Sequence, residues 1–404
     1  MATAALDMFG ENICKFPVKF AEELRERGPL FFDEGLGFWV VSCHDIARQL
    51  FMHDDFHMSP KYAGNYSSDL FAEKYPTCRQ FRDDNPFTDD QRHPLVRKLL
   101  VRAFSPSALR RIEKQIKQSI AAITEPLLTT PGVVDVAKQM ADRIPYAVLS
   151  SIFGVDRLSQ NGGEFLHHAK IMAQMIDPTL LPEQRAVMEH SAVFMMRELK
   201  TLVAAARRSP GEDLISDFLS SADEIGGLSD DDILYAVMAL ITTGSTATSF
   251  TLTLVVHALL TQPEQRLWLQ QHPEHIDKAV EELVRFAHGA RFAYRFALRD
   301  TEMAGQQIKK GQTVLISFAA ISNDPAVFSR PEQCDFSRNN KEALSFGHGA
   351  HYCVGAHVAR TEVRFLLKSF LDYAPEAFLE EGVEWNLSNF INREMSCLPV
   401  NTGH

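Results

Sequence analysis

The stretch of sequence that says most about the fold is Phe346-Gly347-His348-Gly349-Ala350-His351-Tyr352-Cys353-Val354-Gly355. A helical pattern follows it directly. Gly347 and Gly349 permit a tight turn in which backbone N–H groups point at the Cys353 sulfur. Cys353 stands at the start of the helix, where the helix dipole and free N–H groups stabilise a thiolate. Gly355 leaves space beside it for a flat ligand. The stretch therefore predicts a thiolate presented to a planar group.

A thiolate in this setting is a suitable axial ligand for heme iron, because the electron density that it donates favours O–O cleavage. A single cysteine at a helix start is more often structural, but the complete pattern favours ligation. The alternative is a cysteine nucleophile with His351 as its base. That alternative is disfavoured, because residues two apart across a tight turn are poorly placed for proton transfer and no partner supplies an oxyanion site.

The composition is that of a globular protein with an acidic balance. The sequence has 404 residues, of which 45% are hydrophobic and 23% charged, enough to bury a core and a prosthetic group. The net charge of −11 argues against a nucleic-acid-binding protein, which needs a basic surface. Residues 1–16 match neither a secretory signal nor a membrane anchor. Six cysteines without CxxC spacing argue against disulfides and structural zinc. We expect a soluble cytoplasmic protein.

Helical periodicity dominates the chain, with β-like runs near the N-terminus and at about 292–317. The predicted strands span 29–32, 38–42, 292–298, 301–303 and 313–316. The predicted helices span 17–27, 44–52, 91–104, 107–128, 135–153, 163–176, 182–208, 229–260, 263–271, 274–287 and 354–373. The stretch 58–90 is predicted to be a long irregular loop. The expected fold class is mainly α with small β-sheets (α+β), in a single domain spanning 1–404.

The longest predicted helix begins at Ser229, where a serine cap is followed by three aspartates at the positive end of the helix dipole. The helix is apolar on nearly every side, which predicts a path through the centre of the protein. Its polar stretch, Thr242-Thr243-Gly244-Ser245-Thr246, has two interpretations. Either something binds against it, or the hydroxyl groups bond back to their own helical turn.

Together these features resemble the cytochrome P450 family, specifically its soluble bacterial members, over nearly the whole chain. The family's heme-binding loop reads Phe-Gly-x-Gly-x-His-x-Cys-x-Gly, and every fixed position is filled here by Phe346, Gly347, Gly349, His351, Cys353 and Gly355. The resemblance implies heme b between the long central helix and the helix that follows the Cys loop. It further implies dioxygen as co-substrate and the oxidation of a small organic molecule in secondary metabolism.

Other motifs stand in the order that the family requires. Glu282-Leu283-Val284-Arg285 is similar to its Glu-x-x-Arg element, a buried salt-bridged pair that braces the heme side of the core. Taken alone, opposite charges three residues apart on a helix are usually a surface pair. The resemblance also implies that four residues hold the heme propionates: His93, Arg97, Arg295 and His351.

The central helix departs from the family at its acid–alcohol pair, which delivers protons to dioxygen. The matching residues are Thr246 and Ala247, while Gly244 keeps room for dioxygen. Three explanations stand beside one another. The substrate with ordered water replaces the relay, or Thr246, Ser245 or Thr248 organises water without an acid. Alternatively, the enzyme performs peroxide-driven oxidation, dehydration or radical coupling. A proline typical of peroxygenase relatives has no counterpart here.

Seven residues are predicted to line the substrate pocket: Met238, Ile241, Thr242, Arg291, Phe292, Phe390 and Ile391. Arg291 is the only cation among them. Lying four residues before Arg295, it is expected either to pair with a substrate carboxylate or, if the preceding loop turns it outward, to face solvent.

The implied electron donors are a ferredoxin and its reductase, since 404 residues leave no room for a reductase domain beside the P450 fold. We expect the ferredoxin to dock on the Cys353 side, near Arg97, Lys98 and Arg102. The alternative from another functional class is a heme-binding sensor or an inactive scaffold. The change at Thr246 and Ala247 favours that alternative, whereas the heme loop does not discriminate.

Overall fold

The computed structural model describes residues 6–8, 10–59, 74–83, 87, 92–155, 162–176 and 182–404. Helices dominate this part of the chain. They are α1 Glu11–Lys15, α2 Pro17–Arg27, α3 His44–Met52, α4 Pro76–Asp83, α5 His93–Ala103, α6 Pro106–Leu128, α7 Ile144–Phe153, α8 Gly162–Ala173, α9 Pro182–Arg208, α10 Leu214–Ile225, α11 Asp230–Leu260, α12 Pro263–Gln271, α13 Ile276–Phe286, α14 Phe318–Ser322 and α15 Ala356–Tyr373. A π-helix (Ala137–Ala141) and three short 3₁₀ segments (Gln174–Ile176, Pro273–His275 and Gly349–His351) complete the helical structure.

The strands form four small sheets at the sides of the helical body. They are β1 Leu30–Asp33, β2 Phe38–Val41, β3 Phe56–His57, β4 Val133–Asp135, β5 Phe292–Ala297, β6 Thr301–Met303, β7 Gln306–Ile308, β8 Thr313–Ser317, β9 Phe378–Leu379, β10 Glu384–Asn386, β11 Glu394–Cys397 and β12 Pro399–Asn401. The largest sheet has the order β1-β2-β8-β5-β3. Its β2–β8 pair is parallel, which joins the two β-rich parts of the chain that the sequence predicts.

Helix α11 is the centre of the largest hydrophobic core. It contacts α7, α8, α9, α10, α12, α13 and α15. A capping box begins it: the Ser229 hydroxyl accepts from the Asp232 N–H at 3.2 Å, and the Asp232 carboxylate accepts from the Ser229 N–H at 2.8 Å. By length and apolar composition α11 would suffice to cross a membrane, but 67% of its most apolar 18-residue window is buried inside the protein, as in a core helix.

Most predicted elements agree with the structure to within one to three residues, and the mainly helical fold class is confirmed. The predicted helix 135–153 is wrong in its first half. There Asp135 ends strand β4 and accepts the Leu398 N–H, a π-helical turn follows at Ala137–Ala141, and α7 begins only at Ile144, with Pro145 in its first turn. The predicted loop 58–90 contains helix α4, and most of its remainder lies outside the described residues. Helices α10 and α14 were not predicted.

Candidate active site

The Cys loop is a tight turn that two glycines make possible. Gly347 and Gly349 have φ values of 72° and 75°, in the left-handed region that other residues rarely adopt. At Gly349 space is also limiting, because a Cβ atom there would lie 3.0 Å from the Phe51 carbonyl oxygen. The Cys353 N–H closes the turn by donating to the Phe346 carbonyl at 2.9 Å. The loop thus holds Cys353 just before α15 begins at Ala356.

The Cys353 thiol is accessible to solvent although protein atoms surround it closely. Desolvation by these surroundings raises the pKa of the Cys353 thiol. Hydrogen bonds from the N–H groups of Gly355 and Ala356 and the nearby charges of Arg360 and Arg97 act in the opposite direction without outweighing it. A metal ion bound to the sulfur would deprotonate the thiol.

Two of the predicted propionate ligands meet beside the loop. The imidazole rings of His93 and His351 are stacked, with their centroids 4.2 Å apart and their planes at 22°. One turn after His93, Arg97 donates to the Tyr352 carbonyl at 3.1 Å. The N-terminal part of α5 therefore contacts the Cys loop directly. The i, i+4 spacing of His93 and Arg97 places both side chains on the helix face that makes this contact.

The fourth predicted cation approaches from the main sheet. Arg295 on β5 is buried and donates to the Tyr294 carbonyl at 2.8 Å. Its guanidinium lies 5.1 Å from the ring centroid of Phe51. Phe51 also lies against Gly349, so Arg295 is connected to the Cys loop through Phe51. All four predicted propionate ligands thus contact the Cys loop directly or through one residue, and their side chains can donate hydrogen bonds to carboxylates.

Arg360 is a residue of this region that the sequence interpretation missed. Its guanidinium stacks 4.3 Å above the Phe346 ring and donates to the Tyr352 hydroxyl at 3.0 Å. It also forms a salt bridge with Glu281 on α13. Arg360 lies seven residues after Cys353, two turns along the helix, and this spacing is the signal that points to it.

Glu282 and Arg285 form a fully buried ion pair on α13, with both side chains at 0% exposure. Arg285 donates through Nε and Nη2 to the two carboxylate oxygens of Glu282, at 2.9 and 2.8 Å. It also donates to the carbonyls of Ser322, Pro331 and Gln333. Glu282 accepts further bonds from Arg338 and from the Asp335 N–H. The pair therefore ties α13 to α14 and to the segment that leads into the Cys loop.

Only one side of α11 is open near its polar stretch. Thr243 and Ala247 are exposed, and Leu240, Gly244 and Thr251 are partly exposed, whereas the neighbouring positions are mostly buried. These five residues share one helix face at i, i+4 and i, i+3 spacing. A Cβ atom at Gly244 would meet Leu149 at an ordinary distance of 3.6 Å, so the surrounding protein itself would accept a larger residue there.

Several predicted residues of α11 lie on its closed side, because each residue turns the helix by about 100°. Met238 and Ile241 pack in the main core, and Thr242 donates to the Met238 carbonyl at 2.9 Å. Ser245 and Thr248 are also buried. These residues therefore lie away from the open face of α11, and their roles in lining a pocket or organising water stay predictions. Thr246 differs, because its buried Oγ1 has no hydrogen-bond partner among the described residues.

Arg291 does not turn out to solvent, because it is buried at 2% exposure. Its pairing with a substrate carboxylate stays a prediction. Its guanidinium contacts the N-terminal segment, donating to the Met8 carbonyl at 3.1 Å and to the Cys14 sulfur. The backbone is fixed here as well, because the Arg291 N–H donates to the Ile391 carbonyl at 2.8 Å. The residue before β5 therefore contacts both the N-terminal segment and the segment around Ile391.

The other three apolar residues predicted for the pocket belong to a hydrophobic cluster that includes residues of the N-terminal helices. Phe292 stacks on Phe390 with centroids 6.0 Å apart and meets Phe20 edge-on at 6.5 Å. Ile391 is buried in the same cluster. They form a hydrophobic core between β5, the N-terminal helices and the C-terminal turn, and their role as pocket-lining residues stays a prediction.

The residues around Cys353 fit a planar iron cofactor with acidic substituents. Cys353 is exposed, Gly355 adds no side chain beside its sulfur, and His93, Arg97, Arg295 and His351 supply hydrogen-bond donors in or next to the Cys loop. Across the core, α11 contacts α15 and presents the open face that carries Thr243 and Ala247. The arrangement suits a cofactor that needs one sulfur ligand, cationic anchors for carboxylates and a free face for small molecules.

Comparison with known proteins agrees with this geometry. The family model described as Cytochrome P450 matches residues 38–373. The chain is 30% identical to Cytochrome P450 CYP107DY1 of Priestia megaterium over 77% of this chain and 75% of that protein. It is 29% identical to the mycinamicin IV hydroxylase/epoxidase of Micromonospora griseorubida, covering 71% of each. The crystal structure of epothilone D-bound Cytochrome P450epoK superimposes with a TM-score of 0.90, at 24% identity and with 100% of both chains covered.

Proposed function

This chain belongs to the cytochrome P450 family, and we propose that it is a monooxygenase that hydroxylates a small organic substrate of secondary metabolism. The family's cofactor is heme b with a thiolate ligand, and its co-substrate is dioxygen. The observation that supports the proposal is the Cys loop, in which Cys353 is exposed and Arg97 and the stacked rings of His93 and His351 lie beside it. We also infer that residues 1–404 act as one domain in the cytoplasm.

In this proposal Cys353 would supply the thiolate, and α11 and α15 would hold the heme between them. His93, Arg97, Arg295 and His351 bind its propionates. The bound heme supplies the activation of dioxygen. The Gly355 and Ala356 N–H groups lower the electron density on the sulfur by hydrogen bonding, and they stabilise the thiolate over the thiol.

In this proposal protons reach the open face of α11 without a carboxylic acid, because Thr246 stands where the family has an acidic residue. Ala247 offers no polar group, and Thr246 keeps a buried hydroxyl with no partner among the residues described. We propose that water bonded to Thr246, together with a polar group of the substrate, fills the role of the missing acid–alcohol pair. A threonine hydroxyl can pass a proton on although it is a poor acid.

The electron donors in this proposal are a ferredoxin and its reductase, which dock beside Cys353 around Lys98. Here α5 exposes Lys98 and also Val101, whose exposure is 72%, and Tyr352 of the Cys loop is 37% exposed. An apolar centre with basic neighbours suits an acidic partner. Arg102 is less available than the sequence indicates, because it pairs with Glu224 at 3.0 Å.

A charge-reversal experiment tests the docking surface. Lys98→Glu is expected to slow reduction of the heme by ferredoxin several-fold at low ionic strength, with substrate affinity unchanged. Lys200→Glu, an equally exposed reversal on α9, serves as the control. Equal reduction rates for the two variants would contradict docking at Lys98.

The monooxygenase activity is tested with the heme-loaded chain, a ferredoxin, its reductase and NADPH. A substrate is first chosen by its effect on the ferric absorption spectrum. We then expect consumption of NADPH and dioxygen with one oxygen atom in the product. Turnover with hydrogen peroxide alone would indicate a peroxygenase. Spectral binding without any turnover would indicate a heme-binding protein instead.

A further inference from the structure

Thr243 is the most accessible polar side chain on the open face of α11. It is exposed, whereas Thr242, Ser245 and Thr248 of the same stretch are buried. Ala247 lies one turn further along the same face, about 6 Å away by the rise of an α-helix. The sequence interpretation assigned no role to Thr243, because the family pattern directs attention to Thr246 and Ala247.

The direction of its hydroxyl proton is defined by the helix. Thr243 Oγ1 donates to the Ala239 carbonyl at 2.7 Å, an ordinary distance for a hydrogen bond between two oxygens. A hydroxyl group has one proton and two lone pairs. With the proton committed to the backbone, Thr243 presents only acceptor lone pairs to the open face.

Thr251, one turn beyond Ala247, repeats this arrangement. Its Oγ1 donates to the Ala247 carbonyl at 2.9 Å. The two threonines therefore bracket Ala247 with hydrogen-bond acceptors and no free hydroxyl proton. Thr251 is the more enclosed of the two, since a Cβ atom at Gly289 would lie 2.9 Å from its Oγ1.

We propose that Thr243 is a specificity-determining residue that accepts a hydrogen bond from an O–H or N–H group of the bound substrate. The inference rests on the proposed heme enzyme and adds the chemical class of its substrate: a molecule with a hydrogen-bond donor close to the carbon that is oxidised. Binding an analogue without the donor leaves the threonine lone pairs unpaired, so such analogues are rejected.

The test uses two pyridines that bind heme iron through the same ring nitrogen, so that affinity is read from the absorption spectrum without turnover. They are 3-(hydroxymethyl)pyridine, which carries a donor, and 3-(methoxymethyl)pyridine, which does not. The heme-loaded chain is compared with Thr243→Val, Thr243→Ser and Thr251→Val. Equal heme content in the four proteins shows that each is folded.

We expect the alcohol to bind more tightly than the ether, and Thr243→Val to reduce this preference about five- to tenfold, the loss of one hydrogen bond. Thr243→Ser and Thr251→Val should keep the preference. An unchanged preference in Thr243→Val, or an equal loss in Thr251→Val, would overturn the inference. So would equal weakening of both pyridines by Thr243→Val, which would mean that Thr243 holds a water molecule.

Failure of the proposed function has a different signature. In that case neither pyridine shifts the absorption spectrum of any of the four proteins, or the chain retains no heme.

Discussion

Removing one partner of the buried Glu282–Arg285 pair should destabilise the protein strongly. Glu282→Gln keeps the shape of the side chain but removes the charge that faces Arg285, and both side chains have no exposure. Arg285 then retains its bonds to three carbonyls but lacks a counter-charge. Breaking a buried ion pair of this kind costs about 3–5 kcal/mol. We expect a loss of that size in the free energy of unfolding.

The double variant Glu282→Leu/Arg285→Met gives the sharper test, because it removes both charges of the pair and leaves only Arg338, which is 9% exposed and keeps its bonds to backbone carbonyls, without its carboxylate partner. It should be less destabilised than Glu282→Gln, since the penalty arises mainly from the unpaired ion. The free energy of unfolding of the wild type and of each variant is measured by urea unfolding followed by far-UV circular dichroism. Glu342→Gln breaks the exposed Arg48–Glu342 pair and should cost less than about 1 kcal/mol. A cost for Glu282→Gln as small as that of Glu342→Gln would refute the argument.

The remaining predictions concern three other residues. Burial raises the pKa of Glu362 to about 8, so wild-type stability should fall as the pH rises from about 4.5 through 8, and Glu362→Gln should remove this fall in pH-dependent urea unfolding. Gly349→Ala should lower heme retention because its Cβ meets the Phe51 carbonyl, whereas Gly305→Ala, at a similar φ with free space, should retain heme fully in a heme-titration assay. Ser229→Ala should cost about 1 kcal/mol in urea unfolding by removing the cap of α11.

The arrangement of the Cys loop follows from local rules, which is why the sequence reveals it. Gly347 and Gly349 supply backbone angles that other residues avoid, and the spacing of His93 and Arg97 places both on one helix face. These features depend on neighbours in the chain. The same holds for the capping box at Ser229 and for most element boundaries.

The packing around Arg291 depends on segments that are distant in the chain, and the sequence interpretation did not foresee it. Arg291 donates to Met8 and Cys14, more than 270 residues earlier in the chain. Residue spacing near β5 does not contain that information, because a single extra residue in the preceding loop changes which side of the strand a residue faces. The packing of Phe292, Phe390 and Ile391 against the N-terminal segment was not predicted for the same reason.

The sequence by itself determined the family, the sulfur ligand motif, the long apolar helix and the absence of the usual acid–alcohol pair. Each is a matter of residue type at short spacing. The tertiary structure decided which hydroxyls of α11 are accessible, since the open side depends on which helices cover the others. Thr243 is exposed and Thr248 is buried although both lie in one polar stretch, because a rotation of 100° per residue places them on different sides of the helix.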